Sequence, residues 1–462
     1  MINERLFPEP WKVKVVEKIH LLPKTERLEV LKKAKFNVFF IPSKAVFIDL
    51  LTDSGTSAMS DEQWAGLMVG DEAYAQAKSW EKFESTVKEI TGYKYVIPTH
   101  QGRSAEHLLF SVLLKKGQKV PSNNHFDTTR ANIEALGGVA LDLVIDEGKD
   151  PHYIHPFKGN INLEKLENLL KKEGKNVPFC MLTVTNNAGG GQPVSMENIF
   201  QASAICKKYK KMLFLDACRY AENAYFIKLR EEGYGDVSVP KIAREMFSYA
   251  DGCTMSAKKD GLANIGGFIA LNDEEIFNKV KSQLILKEGF LTYGGLAGRD
   301  LEAIAVGLKE ALDEEYLRFR TDQVRLFGEM IKAQGGSILE PVGGHAVYLD
   351  ALSILPHIPQ KFLPAQALTI YLYLEGGVRA VEIGSVMFAK KVGKKIIYPP
   401  MELVRLAVPR RVYSSDHLAY VSEVVGEVMR IKEEISGFKI TYEPKYLRHF
   451  TSHFEPVKEI KI

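Results

Sequence analysis

Residues 212–219 read MLFLDACR and residues 252–261 read GCTMSAKKDG. Each is a short apolar run that stops at a polar cluster: Asp216 and Arg219 close the first, and Lys258 and Lys259 follow the second. Working outward, KYVIP (94–98) is predicted as a strand and SAEHLLFSVLLKK (104–116) as the helix after it. FCMLTVT (179–185) is another strand. Ser195 then caps ENIFQASAICKKYKK (197–211), whose Ile199, Ala202, Ile205 and Cys206 share one side. GGFIAL (266–271) adds a further strand. Strands alternating with helices from about Tyr93 to Leu271 mean βαβ units, and so an α/β fold with a mainly parallel sheet and helices on both faces.

Beyond this array a helical segment is expected from about Gly298 to Gly335, with Leu301, Ile304, Leu308 and Leu312 on one stripe. The texture then changes. HAVYLDA (345–351) and LVRLAVP (403–409) read as strands, PAQALTIYLYLEG (364–376) as a helix opened by Pro364, and SSDHLAYVSEVVGEVMRIKEEI (414–435) as the last helix. The expected organisation is a large domain over 49–314, a smaller α+β domain over 315–462, and an N-terminal arm, 1–48, packed with the smaller one.

The 462 residues are 45% hydrophobic and 26% charged, the composition of a soluble globular protein. Lys and Arg total 61 against 58 acids, a net charge of +3, so no global field gathers nucleic acid or an anionic membrane. The basic runs Lys207–Lys211 and AKKVGKK (389–395) read as solvated faces, the second as an exposed turn. Four scattered cysteines without a CxxC pair argue against a disulfide framework or a cysteine zinc site. His152 and His155 have an HxxH spacing, but Pro and Phe follow and no third ligand is evident. No apolar run is long enough to span a bilayer and the N-terminus has no signal-like core, so a cytoplasmic location is expected.

In open α/β sheets ligands collect at the carboxyl ends of strands, where the unusual residues of this chain fall. THQGRS (99–104) leads into a helix. N–H groups at a helix start attract phosphate, Gly102 lets the backbone approach, and Arg103 adds charge. NNAGGGQPV (186–194) follows the FCMLTVT strand. Singly these are weak signals, since a strand-end Asp commonly caps a turn and Lys-Lys-Asp-Gly is commonly an exposed one. Together they match the needs of pyridoxal 5′-phosphate (PLP): N–H groups and Arg for phosphate, a carboxylate for the pyridinium nitrogen, Asn or Arg for the phenolate oxygen, and a lysine for the aldehyde.

The chain also resembles, over essentially its whole length, the β-eliminating lyases, the fold-type-I PLP family that includes tryptophanase and tyrosine phenol-lyase. The matching blocks include IDLLTDSGTSAMS (48–60), GDEAYA (70–75), IPTHQGRSAE (97–106), AGGGQPVS (188–195), ADGCTMSAKKD (250–260), YGGLAGRDLEA (293–303), EPVGGHAVYLDA (340–351) and YEPKYLRHFT (442–451). The resemblance implies a seven-stranded, mainly parallel sheet and a set of roles. Lys259 would carry PLP, with Lys258 beside it as a structural partner. Asp216 would hold the pyridinium proton, and Asn187 and Arg219 would contact the phenolate side. Gln101, Gly102, Arg103 and Ser256 would bind phosphate, and Phe126 would stack on the ring. Arg410 would grip the substrate carboxylate with Thr52 nearby. Tyr74 would give a proton to the leaving group from a neighbouring subunit. Glu72 and Asn264, with the Gly55 carbonyl, resemble a monovalent-cation site for K⁺ or NH₄⁺. A homotetramer with sites at the dimer interface is implied, acting on a small amino acid, with no nucleic-acid or membrane partner.

Three positions bear on which ring leaves. In GVRAVEIGS (377–385), Ile383 stands where phenol-lyases carry an Arg; FDTT (126–129) has Asp127, as in tryptophanases; and His449 replaces an aromatic residue of the phenol-lyases. DACRYAENAYF and MFSYADGCTMS read closer to the phenol-lyase form, but those segments bind cofactor or build core. The expectation is β-elimination of L-tryptophan to indole, pyruvate and ammonia. Tyrosine phenol-lyase is the near alternative, an aminotransferase on the same fold a remote one, and a chain that keeps the fold as a mere interaction protein a third.

Overall fold

The alternation of apolar runs with capped helices produces seven strands between Tyr95 and Leu271. They are β1 (Tyr95–Thr99), β2 (Lys119–Ser122), β3 (Val139–Asp142), β4 (Phe179–Thr183), β5 (Met212–Asp216), β6 (Gly252–Ser256) and β7 (Gly267–Leu271). In this computed structural model, which describes residues 8–445 and 447–460, five strands form one ladder in the order β1-β7-β6-β5-β4. β4, β6 and β7 are buried at every position, which is why they read as continuous rather than alternating apolar runs.

Two departures from a simple parallel sheet have local causes. β4, β5 and β6 pair in parallel, but β7 runs antiparallel to both β6 and β1. The connection from Ser256 to Gly267 is too short for a helical crossover, so the chain must return antiparallel. The seven strands also do not form one continuous ladder, since β2 and β3 make a separate parallel pair beside β4. There the side chain of Asn123 substitutes for backbone pairing, accepting from Thr183 N–H at 2.9 Å and donating to the Thr183 carbonyl at 3.0 Å.

Helices pack on this sheet in the expected order: α1 (Gly102–Leu113), α2 (Asp127–Ala135), α3 (Met196–Lys208) and α4 (Tyr220–Arg230). The Ser195 hydroxyl caps α3 by accepting from Asn198 N–H at 3.1 Å. One core cluster joins Ile97, Leu109, Phe110, Phe179, Phe214 and Ile269. Phe179 packs on Phe110 and Phe214 with ring centroids 5.4 and 5.8 Å away. Burying each such ring stabilises the unit by about 1.5–3 kcal/mol. The segment after Gly298, expected as one long helix, is two: α5 (Gly298–Glu310) and α6 (Glu314–Ala333). Asp313 starts the second by accepting from Tyr316 N–H at 2.8 Å.

The chain divides into two units, one comprising Ser54–Gly148 and His155–Arg318, the other the described residues up to Asp53, Lys149–Ile154 and those from Phe319 onward. The second unit has its own core and a three-stranded antiparallel sheet of β8 (Ala346–Asp350), β9 (Val381–Ile383) and β10 (Leu403–Ala407), with β10 central. Helix α7 (Pro364–Gly376) is buried almost throughout, in keeping with its largely apolar sequence. Pro364 opens it, and Gly377, at φ +65°, closes it. AKKVGKK is the tip of a small hairpin, Lys390–Val392 against Lys395–Ile397.

Glu382 and Glu402 form a buried carboxyl pair beside β9 and β10. Gly384 makes room for both: a Cβ there would lie 2.5 Å from Glu402 Oε2 and 2.9 Å from Glu382 Oε1. Val386 N–H donates to Glu382, and the Ser385 hydroxyl to Glu402. Burial, then the charge of Glu402, hold the Glu382 carboxyl well above its usual range; burial raises Glu402 as well. A carboxyl whose folded pKa is raised makes folding favourable at low pH, and that stability is lost as pH climbs from the unfolded value through the folded one. Glu382→Gln, which is neutral at all pH, should therefore raise Tm by at least about 2 °C at about pH 8 and change it little at about pH 5. Equal shifts at both pH values in thermal unfolding would contradict this.

Candidate active site

Helix α1 begins one residue after Gln101, whose side chain makes no cap to the helix and instead meets His100 Nε2 at 2.9 Å. The helix start therefore carries no side-chain cap, and its dipole favours an anion there. Gly102 sits against β6: a Cβ at this position would lie 2.6 Å from Ser256 Cβ, so only glycine permits the approach. Gly102, Arg103 and Ser256 thereby line one cavity, whose wall also includes Phe126, Asp216, Thr254 and Lys259.

Asp216 ends β5 and faces this cavity while holding its own turn, accepting from Cys218 N–H at 3.4 Å and from the Cys218 thiol at 2.7 Å. Burial, and then the Asp216 charge, push the Cys218 thiol up to about 12, so it remains a donor. Asp216 is thus both a turn cap and a residue of the cavity wall.

The turn carrying Lys259 is tied to the same place. Asp260 accepts from Ala221 N–H at 2.8 Å and Glu222 N–H at 3.2 Å, capping α4, and its own N–H donates to the Cys218 carbonyl at 3.2 Å. Lys259 and Asp216 are thus wall residues of one cavity, fixed by one set of backbone bonds. Lys258 is held otherwise: its carbonyl accepts from Gly55 N–H at 2.7 Å, and burial lowers its amine pKa, with Lys259 and Arg103 adding to the effect.

Not every expected residue reaches the wall. Gln101, Asn187 and Arg219 are not part of it. Arg219 is buried at the start of α4, its N–H donating to the Val184 carbonyl at 3.2 Å, and Asn187 is buried in the glycine-rich turn, its carbonyl accepting from Gly190 N–H. Asp127 opens α2 next to Phe126 and accepts from Thr128 N–H at 2.6 Å. Asn264 and Gly55 do meet: the Asn264 amide donates to the Gly55 carbonyl at 3.1 Å and to the Ser57 carbonyl at 3.2 Å. Glu72 is exposed and pairs with Arg299 at 3.0 Å. Tyr74 is 73% exposed in this single chain, its ring against Phe290 and Tyr293.

The remaining expected residues lie in the second unit. Arg410 is fully buried and its Nη1 pairs with Asp53 Oδ2 at 2.8 Å, next to Thr52 in the chain. Ile383 is 2% exposed, in an apolar cluster with Tyr348 and Leu403. His449 is buried, with its ring 4.1 Å from that of Phe450.

The wall also holds residues with no expected role, among them Glu106 and Thr254. Glu106, 6% exposed, accepts from the Thr129 hydroxyl and from Asn132 Nδ2 at 3.3 Å. Its signal was a charged residue one turn after Gly102, on the face of α1 that otherwise buries Ala105, Leu109 and Phe110. Thr254, a polar residue inside the apolar strand β6, has a buried hydroxyl with no hydrogen-bond partner. An orphaned buried hydroxyl in a cavity wall is a group that a polar ligand satisfies.

The β-eliminating lyase family model matches residues 49–424. The chain is a β-eliminating lyase. It is 57% identical to a tryptophanase of Salinibacter ruber over 97% of this chain and 95% of that one. It is 54% identical to a tryptophanase of Hyphomonas neptunium, over 97% and 98%. It is 49% identical to a tyrosine phenol-lyase of Symbiobacterium thermophilum, over 98% and 100%. A serine palmitoyltransferase of Sphingomonas wittichii superposes with a TM-score of 0.56 at 13% identity, covering 84% of this chain and 88% of that chain. The fold of this lyase is accordingly that of the fold-type-I PLP enzymes, and its cofactor is PLP. The wall of the cavity fits that group: a helix start with Arg103 and Ser256 for phosphate, Asp216 for a ring nitrogen, Phe126 for a ring face, a lysine amine, and the unsatisfied Thr254 hydroxyl. Among the described residues no helix is long and apolar enough to cross a membrane.

Proposed function

We propose that this β-eliminating lyase acts on L-tryptophan, releasing indole, pyruvate and ammonia in the cytoplasm. The observation that carries the reading is Ile383, which with its neighbours Tyr348 and Leu403 fills an apolar cluster where an arginine would be needed to meet a phenol hydroxyl. Leaving such a hydroxyl unpaired costs about 1–3 kcal/mol, a preference of tenfold or more for a ring without it. The two relatives at 57% and 54% identity, both named tryptophanase, support the same choice.

PLP, when bound, supplies an electron-withdrawing ring that weakens the bonds to Cα of the amino acid. The chain's own groups do the rest. Gly102, Arg103 and Ser256 hold phosphate at the start of α1. Phe126 covers the ring. Asp216 keeps the ring nitrogen protonated by opposite charge. The Lys259 amine carries the cofactor and then removes the Cα proton. Arg410, its guanidinium fixed by Asp53, orients the substrate carboxylate with Thr52. An aryl carbon leaves poorly until it is protonated, and Tyr74, with Asp127 and His449, delivers that proton to the indole ring. A hydrogen bond with Tyr293 raises the Tyr74 pKa, so it retains a proton to give. Glu72, Gly55 and Asn264 hold K⁺ or NH₄⁺ as an activator, and a homotetramer completes each site from a neighbouring subunit.

Side-by-side incubation with tryptophan and tyrosine, scoring indole, phenol and pyruvate, tests the proposal. Indole release should exceed phenol release by at least about tenfold, and Ile383→Arg should narrow that ratio. Phenol exceeding indole in the unaltered protein would make it a tyrosine phenol-lyase instead.

A further inference from the structure

Glu106 is a second acid in a cavity whose first acid, Asp216, is already committed to a ring nitrogen. It lies one helical turn beyond Gly102, on the same face of α1 as the phosphate-binding start, and both of its oxygens are engaged by α2, through Thr129 and Asn132. PLP brings negative charge of its own, on the phosphate and on the phenolate oxygen. A second buried carboxylate in the wall of the same cavity would oppose it.

We infer that Glu106 is a residue through which a proton controls cofactor binding: held between α1 and α2 in the cavity wall, its neutral carboxyl admits PLP, and its ionised carboxylate expels it. The inference rests on PLP occupying this cavity. Burial, then the charge of Asp216, push the Glu106 carboxyl up to about 8, while Thr129, Lys259 and Asn132 pull it down. The acid therefore carries its proton at neutral pH and gives it up a little above. The charged and titratable groups that share the cavity wall are Asp216, Cys218, Lys259 and Arg103. On the packed helix α2, Arg130 pairs with Asp142 and Glu134, and Asp127, the first helical residue, accepts from Thr128 N–H. On α1 itself, His107 meets Lys287.

The test is equilibrium dialysis of the PLP-loaded protein across about pH 7 to 9.5, with PLP itself as the probe. In the unaltered protein the apparent Kd for PLP should rise up to about tenfold per pH unit above Glu106's titration. Glu106→Gln should flatten that rise, because the Glu106 contribution is removed and the other wall residues are unchanged. Thr129→Val removes a donor that stabilises the carboxylate, so the rise should begin at higher pH. A folded Glu106→Gln protein whose Kd follows the same pH curve as the parent overturns the inference and leaves the cofactor assignment standing. If Glu106→Gln does not fold, an unmoved midpoint in Thr129→Val overturns it equally. Failure of the unaltered protein to retain PLP at any pH would instead remove the cofactor from this cavity, and the inference with it.

Discussion

Lys259→Ala is expected to lower pyruvate release from tryptophan by at least about 10⁴-fold. One amine is asked both to anchor the cofactor and to take the Cα proton, and general-base catalysis alone contributes about 10²–10⁴. The adjacent Lys258 is not positioned to stand in. Its carbonyl is pinned by Gly55 N–H, its Cε lies where a Cβ on Gly55 would be only 2.8 Å away, and it is absent from the cavity wall. Borohydride reduction of the unaltered protein should leave a pyridoxyl group on Lys259, and the variant should carry none. A variant that keeps a tenth of the activity with the label on Lys258 would show that the two lysines exchange roles. Folding should be little affected, since the bonds that shape this turn run through Asp260 and the backbone rather than through the Lys259 amine.

Most of what positions this site was legible because it depends on local chemistry. Strand tips that end in Asp216 and in Lys258–Lys259, a glycine before a helix, and a capping Ser195 each declare themselves within a few residues. What was not legible depends on which strands become neighbours. The antiparallel return of β7 follows from a short connection that a reader intent on βαβ units passes over. The replacement of a ladder by Asn123 between β2 and β4 follows from a side chain whose partner lies 60 positions away in the chain. Glu106 illustrates the same limit at the site. A glutamate in SAEHLLFSVLL reads as an exposed helix position until the face shared with Gly102 and Phe110 is recognised as the buried one. The residues proposed to set substrate choice, Ile383 and His449, had no local signal at all. Their meaning came from resemblance to a family rather than from pattern, since an isoleucine in a strand is ordinarily core.

Asp216→Asn is the substitution that best separates chemistry from architecture. The amide can still accept from Cys218 N–H through Oδ1, so the turn after β5 should persist and Tm should change little. What disappears is the negative charge opposite the ring nitrogen, and with it the preference for a protonated ring. Removing one such preorganised electrostatic partner costs about 10²–10³ in kcat, and the loss should fall on kcat more than on KM because substrate contacts are untouched. Two neighbours report on the charge independently of turnover. Asp216 raises the Cys218 thiol pKa and the Glu106 carboxyl pKa. In the variant both should fall, so Cys218 should alkylate faster at alkaline pH and PLP should be released from a lower pH than in the parent. If activity drops while neither of those curves moves, the carboxylate is acting through the fold rather than through its charge.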